Sequence, residues 1–261
     1  MIFQTDYLDK GSPALRDFVR LGKIADASTL AAAVSRTPNY YASLATLPGR
    51  LEAKRPSIDR VVRELHALNP DGTIPPIHFV VGHFRSSGTV SPAGMLIGAE
   101  VWAVSEGVPL DEFSPKARAW VHPLDDVVYN IAHEMVHTQQ RWQGKDRLLE
   151  VAIVEGTAEL IAEMLVPNAP ILPMRAWADA NTRKVWSRFA AEMDGTDTSE
   201  WIANNDRATA EWPAALGYYV GYRIAQSYYA KAADKTRAIQ DLLKLDDARA
   251  ILRASAWPRS G

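Results

Sequence analysis

Cysteine is absent from all 261 residues, which excludes disulfides, iron–sulfur clusters, thiolate zinc sites and a cysteine nucleophile. The absence leaves the compartment open, because a reducing cytosol and an envelope without disulfides both suit a chain without thiols. A positive surplus is missing too: 29 Lys and Arg face 31 Asp and Glu, a formal charge of −2. Nothing in that balance serves to neutralise a phosphate backbone, so no nucleic-acid partner is expected. No apolar run reaches the roughly 18 residues of a membrane span. The opening residues Met1-Ile2-Phe3-Gln4-Thr5-Asp6 lack the basic and apolar regions of a signal peptide. The expected location is cytoplasmic, or the cell envelope or periplasm if Met1 stands in place of a removed leader. Fixed-period repeats and low-complexity tracts are also absent, which argues against a solenoid or propeller.

What remains is an ordinary globular composition with enough apolar residues for a packed core. Ser57 can cap a helix in which Ile58, Val61, Val62, Leu65 and Leu68 share one face, stopped by Asn69-Pro70-Asp71-Gly72. Leu30 to Val34 predicts another helix ending before Pro38. The segments Ile77–Val81 and Met95–Trp102 read as strands separated by a Ser/Gly/Pro loop. From Leu124 onward the pattern is helical, punctuated by Pro167, Pro170, Pro173 and the polar run Asp194–Ser199. The expected class is α+β, predominantly helical, around a small sheet.

The informative residues are His133-Glu134-Met135-Val136-His137, an H-E-x-x-H match. On a helix, histidines at i and i+4 project from one face and reach a single metal at roughly 2.0–2.1 Å. The glutamate between them points beside the metal, where it can take a proton from bound water. Val127, Val128, Ile131, Ala132, Met135 and Val136 fill about half of the helical circumference. His133 and His137 lie on the other half with Asn130 and Gln140. A chance match is expected in fewer than about one in a hundred chains of this length.

Two histidines leave a zinc site short of a third protein ligand, which a carboxylate from a later helix can supply. Leu148, Leu149, Ala152, Ile153, Leu160 and Ile161 define such a helix, with Glu155 and Glu159 one turn apart on its polar side. An isolated pair of that kind is more often a solvated helix face, and the preceding motif reverses the odds. Glu150 and Glu163 are rival ligands. They rank lower because neither adjoins a glycine such as Gly156, which permits close helix approach, nor precedes a carboxylate at i+4.

At these residues the chain resembles the glutamate-type zincin metallopeptidases, or gluzincins. It is more closely similar to a bacterial group of predicted zinc-dependent proteases related to gliding-motility lipoprotein B. Gly82-His83-Phe84, Leu96-Ile97-Gly98-Ala99-Glu100, Ile131–Gln140, Glu155-Gly156-Thr157-Ala158-Glu159 and Leu216–Ile224 carry the likeness. It implies one zinc per chain held by His133, His137 and Glu155, with Glu134 as general base and Glu159 supporting a ligand histidine. It also implies a zincin-like fold in which Met95–Trp102 is the edge strand that receives an extended peptide. The expected organisation is a single zincin-like domain over 1–261. Its parts are a helical 1–74, a small sheet at 75–104, metal-site helices at 124–166 and a helical 167–261.

Weaker signals surround the motif. Gly217-Tyr218-Tyr219-Val220-Gly221 is a G-x-x-x-G stretch expected to mark close helix packing. Tyr218, Tyr222 and Arg223 can stabilise an oxyanion, against the plainer reading of a packed aromatic core with one surface cation. His83 and Trp102 are candidate substrate contacts, although a lone histidine is more often structural. His66, His78 and His122 receive no role, and Asp246-Asp247 reads as a solvated pair. The leading function is a zinc peptide hydrolase acting on a peptide or protein substrate. The alternatives are an inactive zincin-like envelope accessory protein and a zinc hydrolase of a non-peptide amide or ester. The oligomeric state is not legible.

Overall fold

Short polar side chains set several helix starts in the computed structural model, which describes residues 2–141, 146–170 and 174–258. Met1 and Pro173 lie outside the described residues. Ser12 opens α1 (Pro13–Arg20) and Asp26 opens α2 (Ala27–Arg36), each accepting a backbone N–H from the first turn. Caps of this kind stabilise a helix by about 1 kcal/mol. The chain continues through α3 (Pro38–Ser43), α4 (Leu47–Glu52) and α5 (Arg55–Leu68). Ser57 does not cap α5. The helix begins two residues earlier, because Pro56 fits the first turn, where its missing N–H costs nothing.

A three-stranded sheet follows, with β1 (Ile77–Val80), β2 (Gly88–Ser91) and β3 (Gly94–Gly98) in spatial order β1-β3-β2. β1 runs parallel to β3 with Ile77 opposite Met95, and β2 runs antiparallel with Gly88 opposite Ile97. Two expectations are corrected here. Met95–Trp102 is not an edge strand, because β3 is paired on both sides and ends at Gly98. The Ser/Gly/Pro loop instead contains β2, which is the antiparallel edge.

The remaining helices are α6 (Pro115–Arg118), α7 (Val127–His137), α8 (Leu148–Leu165), α9 (Arg175–Ala180), α10 (Thr182–Glu192), α11 (Leu216–Lys231), α12 (Lys235–Lys244) and α13 (Ala248–Ser255). Asp247 is the N-cap of α13, accepting Ala250 N–H at 2.9 Å, so the Asp246-Asp247 pair is more than a solvated one. The protein is α+β and predominantly helical. Among the described residues no helix is long and apolar enough to cross a membrane.

The chain forms two compact units, Met1–Arg63 with Thr73–Thr138, and Glu64–Gly72 with Gln139–Gly261. In the first, Leu15, Phe18, Ile24 and Leu30 pack with Val80 and Leu96 of the sheet. α7 lies against β2 and β3 in the same unit. In the second, α8 and α11 form the centre of a core that includes Leu149, Ile153, Phe189, Trp201 and Val220. Glycine sets their spacing. A Cβ on Gly156 would stand 1.9 Å from the Gly221 carbonyl carbon, and one on Gly221 would stand 1.6 Å from the Ala152 oxygen. The close packing expected of Gly156 and of the G-x-x-x-G stretch is present.

Candidate metal centre

α7 is amphipathic in the manner its sequence predicts. Val127, Val128, Ile131, Ala132, Met135 and Val136 are buried, while His133, Glu134 and His137 are half-buried. Asn130 departs from that pattern, being buried rather than on the polar side. One turn of helix brings the two imidazoles together, ring planes at 82° and centroids 4.8 Å apart. Their Nε2 atoms are 3.1 Å apart. Two nitrogen ligands at 2.0–2.1 Å on one tetrahedral ion would stand about 3.3 Å apart. The pair therefore fits a shared metal, and the same separation suits an N–H···N bond when none is bound.

Glu134 sits beside the edge strand. A Cβ built on Gly88 would come within 2.7 Å of the Glu134 Cγ and 2.8 Å of its Oε1. The absence of a side chain at Gly88 gives the carboxylate its place against β2. The carboxylate thus packs against the terminal strand of the sheet.

On α8, the four acidic residues divide by what they touch. Glu150 accepts the Arg147 N–H at 3.3 Å at the helix start, and Glu163 pairs with Arg175 at 3.1 Å near its end. Both rival ligands thus have structural work within their own unit. Glu155 is half-buried, and Glu159 is only 4% exposed, so the latter does not lie on a solvated face. A carboxylate buried to that degree is costly unless hydrogen-bonded or paired.

The candidates on α11 belong to the same unit as α8. Tyr218 is half-buried. Tyr222 is 3% exposed, its hydroxyl accepts Gln226 Nε2–H at 2.8 Å, and Arg175 stacks 4.2 Å over its ring. Burial first, then the Glu163 carboxylate, pushes its phenol up to about 12. Arg223 reaches Gln226 at 3.2 Å and Asp179 at 3.9 Å. Trp102 follows β3 in a turn, donates from its indole to the Ser87 carbonyl at 2.9 Å, and stacks on His122.

One residue to which the sequence assigns no role emerges in the first unit. Glu100 is fully buried, and its two oxygens accept the N–H groups of Gly82 and Phe84, each at 2.8 Å. Around it Tyr7, Tyr40 and Tyr41 donate to the carbonyls of Val81, Glu100 and Gly82. The arrangement holds Phe84 at φ 64°, a conformation unusual for an aromatic residue. Burial raises the Glu100 pKa to about 6, against the pull of the two N–H groups. The folded pKa lies above the ordinary 4.5, so this stabilisation is fully present below about pH 4.5 and fades as pH rises through 6. It amounts to ~2 kcal/mol. Urea unfolding of the wild type and Glu100→Gln at pH 4.5 and 7.5 checks this. The stability difference is expected to shift by about that amount in favour of the wild type at the lower pH.

The family model described as gliding motility protein GldB matches residues 33–258. The chain belongs to this family. The match runs from α2 to beyond α13, so both the α7 histidines and the α8 carboxylates fall within the family's own span. No curated protein and no solved structure matches.

Proposed function

We propose that this GldB-family chain is a zinc-dependent peptide hydrolase of zincin-like fold in the cell envelope. The observation that carries the reading is the 3.1 Å convergence of the His133 and His137 Nε2 atoms on a helix that also bears Glu134. Glu155 is proposed as the third ligand, since Glu150 and Glu163 are engaged at the two ends of α8. Zinc bound there would lower the pKa of a water molecule and polarise a carbonyl. The Glu134 carboxylate would serve as the base toward such a water and return the proton to a leaving amine. The substrate peptide adds to the outer edge of β2, beside Glu134, through backbone hydrogen bonds. Tyr218, which is half-buried, is the better placed of the two tyrosines to reach an oxyanion, because Tyr222 is only 3% exposed. The envelope location rests on the family model, whose name marks it as one of lipoproteins.

Elemental analysis of protein purified without added metal, paired with cleavage of a mixed peptide library, tests the reading. Near one zinc per chain and cleavage lost on chelation are expected. A metal-free protein that takes up no added zinc overturns it.

Glu159 is proposed to orient a ligand histidine by accepting its remaining ring N–H, which fixes the tautomer and raises basicity. Glu159→Ala is expected to weaken zinc binding by roughly 10–100-fold, and Glu155→Ala by more. Competition with a chelating dye measures both. Unchanged affinity in Glu159→Ala would remove this role.

A second reading has the family match in its favour: a non-catalytic accessory protein of the gliding apparatus. The two separate on one variant. Under the accessory reading Glu134→Gln leaves the cellular phenotype intact, because partner binding needs no base between the histidines.

A further inference from the structure

We infer that a cavity of about 470 Å³ in the first unit, lined by Arg36, His83, Phe84, Phe113 and Trp120, binds a small carboxylic acid with an aromatic or branched apolar body. This site lies beyond the proposed hydrolase chemistry and uses neither its metal ligands nor its base, although it takes in His83, the candidate substrate contact. Its volume is within the range of small-molecule pockets, which are apolar with a few placed polar groups.

The polar groups in the wall are few and mostly committed. Glu112 accepts the N–H groups of Asn39 and Tyr40 at 3.1 and 2.9 Å, and Thr37 donates to the Ala33 carbonyl. Ser114 accepts the Ala117 N–H at 3.2 Å. Arg36 remains, closing the last turn of α2 with no ion pair among the described residues. His83 lines the wall with its ring, its Nδ1 turned away into the protein. The rest of the wall is aromatic, Phe84 meeting Phe113 at 5.5 Å between centroids and 83° between planes.

The loop carrying His83 is held in place at a cost. Phe84 adopts a left-handed backbone, and the buried Glu100 carboxylate fastens the N–H groups on either side of His83. Strain maintained by a buried polar network is a feature of ligand sites. The Arg36 guanidinium selects a carboxylate, and the aromatic walls select an apolar body. Burial, then Arg85 and Arg36, hold the His83 pKa down, against the opposite pull of Asp26 and of the Lys23 backbone.

The test is titration of the full chain with 3-phenylpropionate, read at the His83 ring resonances, which are assigned by their loss in His83→Asn. A saturable shift with Kd on the order of 1 mM is expected for a ligand of this size. Arg36→Gln, an exposed substitution, should weaken binding about tenfold, and uncharged 3-phenylpropionamide should bind the wild type about tenfold more weakly. Zinc-loaded and chelator-treated protein should give the same Kd. Absence of saturation overturns the inference, as does equal binding of acid and amide. A shift that requires zinc or appears at His133 and His137 instead overturns it too. The hydrolase reading stands or falls separately, since its test is the metal content.

Discussion

Glu134→Gln is expected to keep its zinc and lose peptide cleavage by roughly 10²–10⁴-fold, the usual effect of removing a general base. The amide is nearly the same size as the carboxylate, so its fit against Gly88 on β2 should persist. Its nitrogen cannot accept a proton, and the neutral oxygen is a far weaker base. His137→Ala provides the contrast, deleting one of the two nitrogens that stand 3.1 Å apart. It should lose the metal together with the activity. Zinc stoichiometry and kcat/KM, measured on the same preparations, separate the two effects. Full activity in Glu134→Gln would overturn the assigned mechanism, and full zinc in His137→Ala would overturn the ligand set.

Gly156→Ala is expected to destabilise the second unit by about 3 kcal/mol or more, the top of the range for overpacking. The added carbon would stand 1.9 Å from the Gly221 carbonyl carbon and 2.0 Å from the Tyr222 nitrogen. Both are backbone atoms of α11, so no rotamer change relieves the collision and the helices must separate. For a chain of this size the loss corresponds to a fall in Tm of roughly 6–12 °C. Gly49→Ala is the matched control. Gly49 lies in α4 with nothing within 4 Å of its Cβ position. There the substitution should be neutral or stabilising by up to ~1 kcal/mol, through helix propensity alone. Equal melting temperatures for the two variants would contradict the close approach of α8 and α11.

The helices that carry the candidate centre were legible because their chemistry is local. A period of 3.6 residues separates the buried face of α7 from its histidines, and the same period groups Glu155 with Glu159. Gly156 and Gly221 were readable as contact points for a similar reason, each standing where one helix face meets another. The strand β2 was not readable. Ser86-Ser87-Gly88-Thr89-Val90-Ser91 has the composition of a loop, and only pairing with β3 makes four of those residues a strand. The same non-local pairing turned the expected edge strand into the central one.

Glu100 stayed hidden because a glutamate amid Gly98, Ala99 and Val101 looks like the end of a strand. Its role depends on N–H groups sixteen and eighteen residues earlier. Glu150 and Glu163 could be ranked from sequence, but only their contacts with Arg147 and Arg175 explain what they do.

The ring of phenols around Glu100 gives this corner of the molecule an optical signature. Tyr7, Tyr40 and Tyr41 are held above the ordinary tyrosine range, by burial first and by the Glu100 charge second, with Tyr7 pushed up to about 12. In a chain of nine tyrosines, these three should stay colourless at 295 nm while exposed phenols ionise on alkaline titration. The unfolded chain ionises near pH 10, so rising pH beyond that point favours opening where the three hydroxyls hold the carbonyls of Val81, Gly82 and Glu100. Tyr222 of the second unit is held up to about 12 as well, so the part of the late rise in absorbance that persists in Tyr222→Phe would time the release of the His83–Phe84 loop.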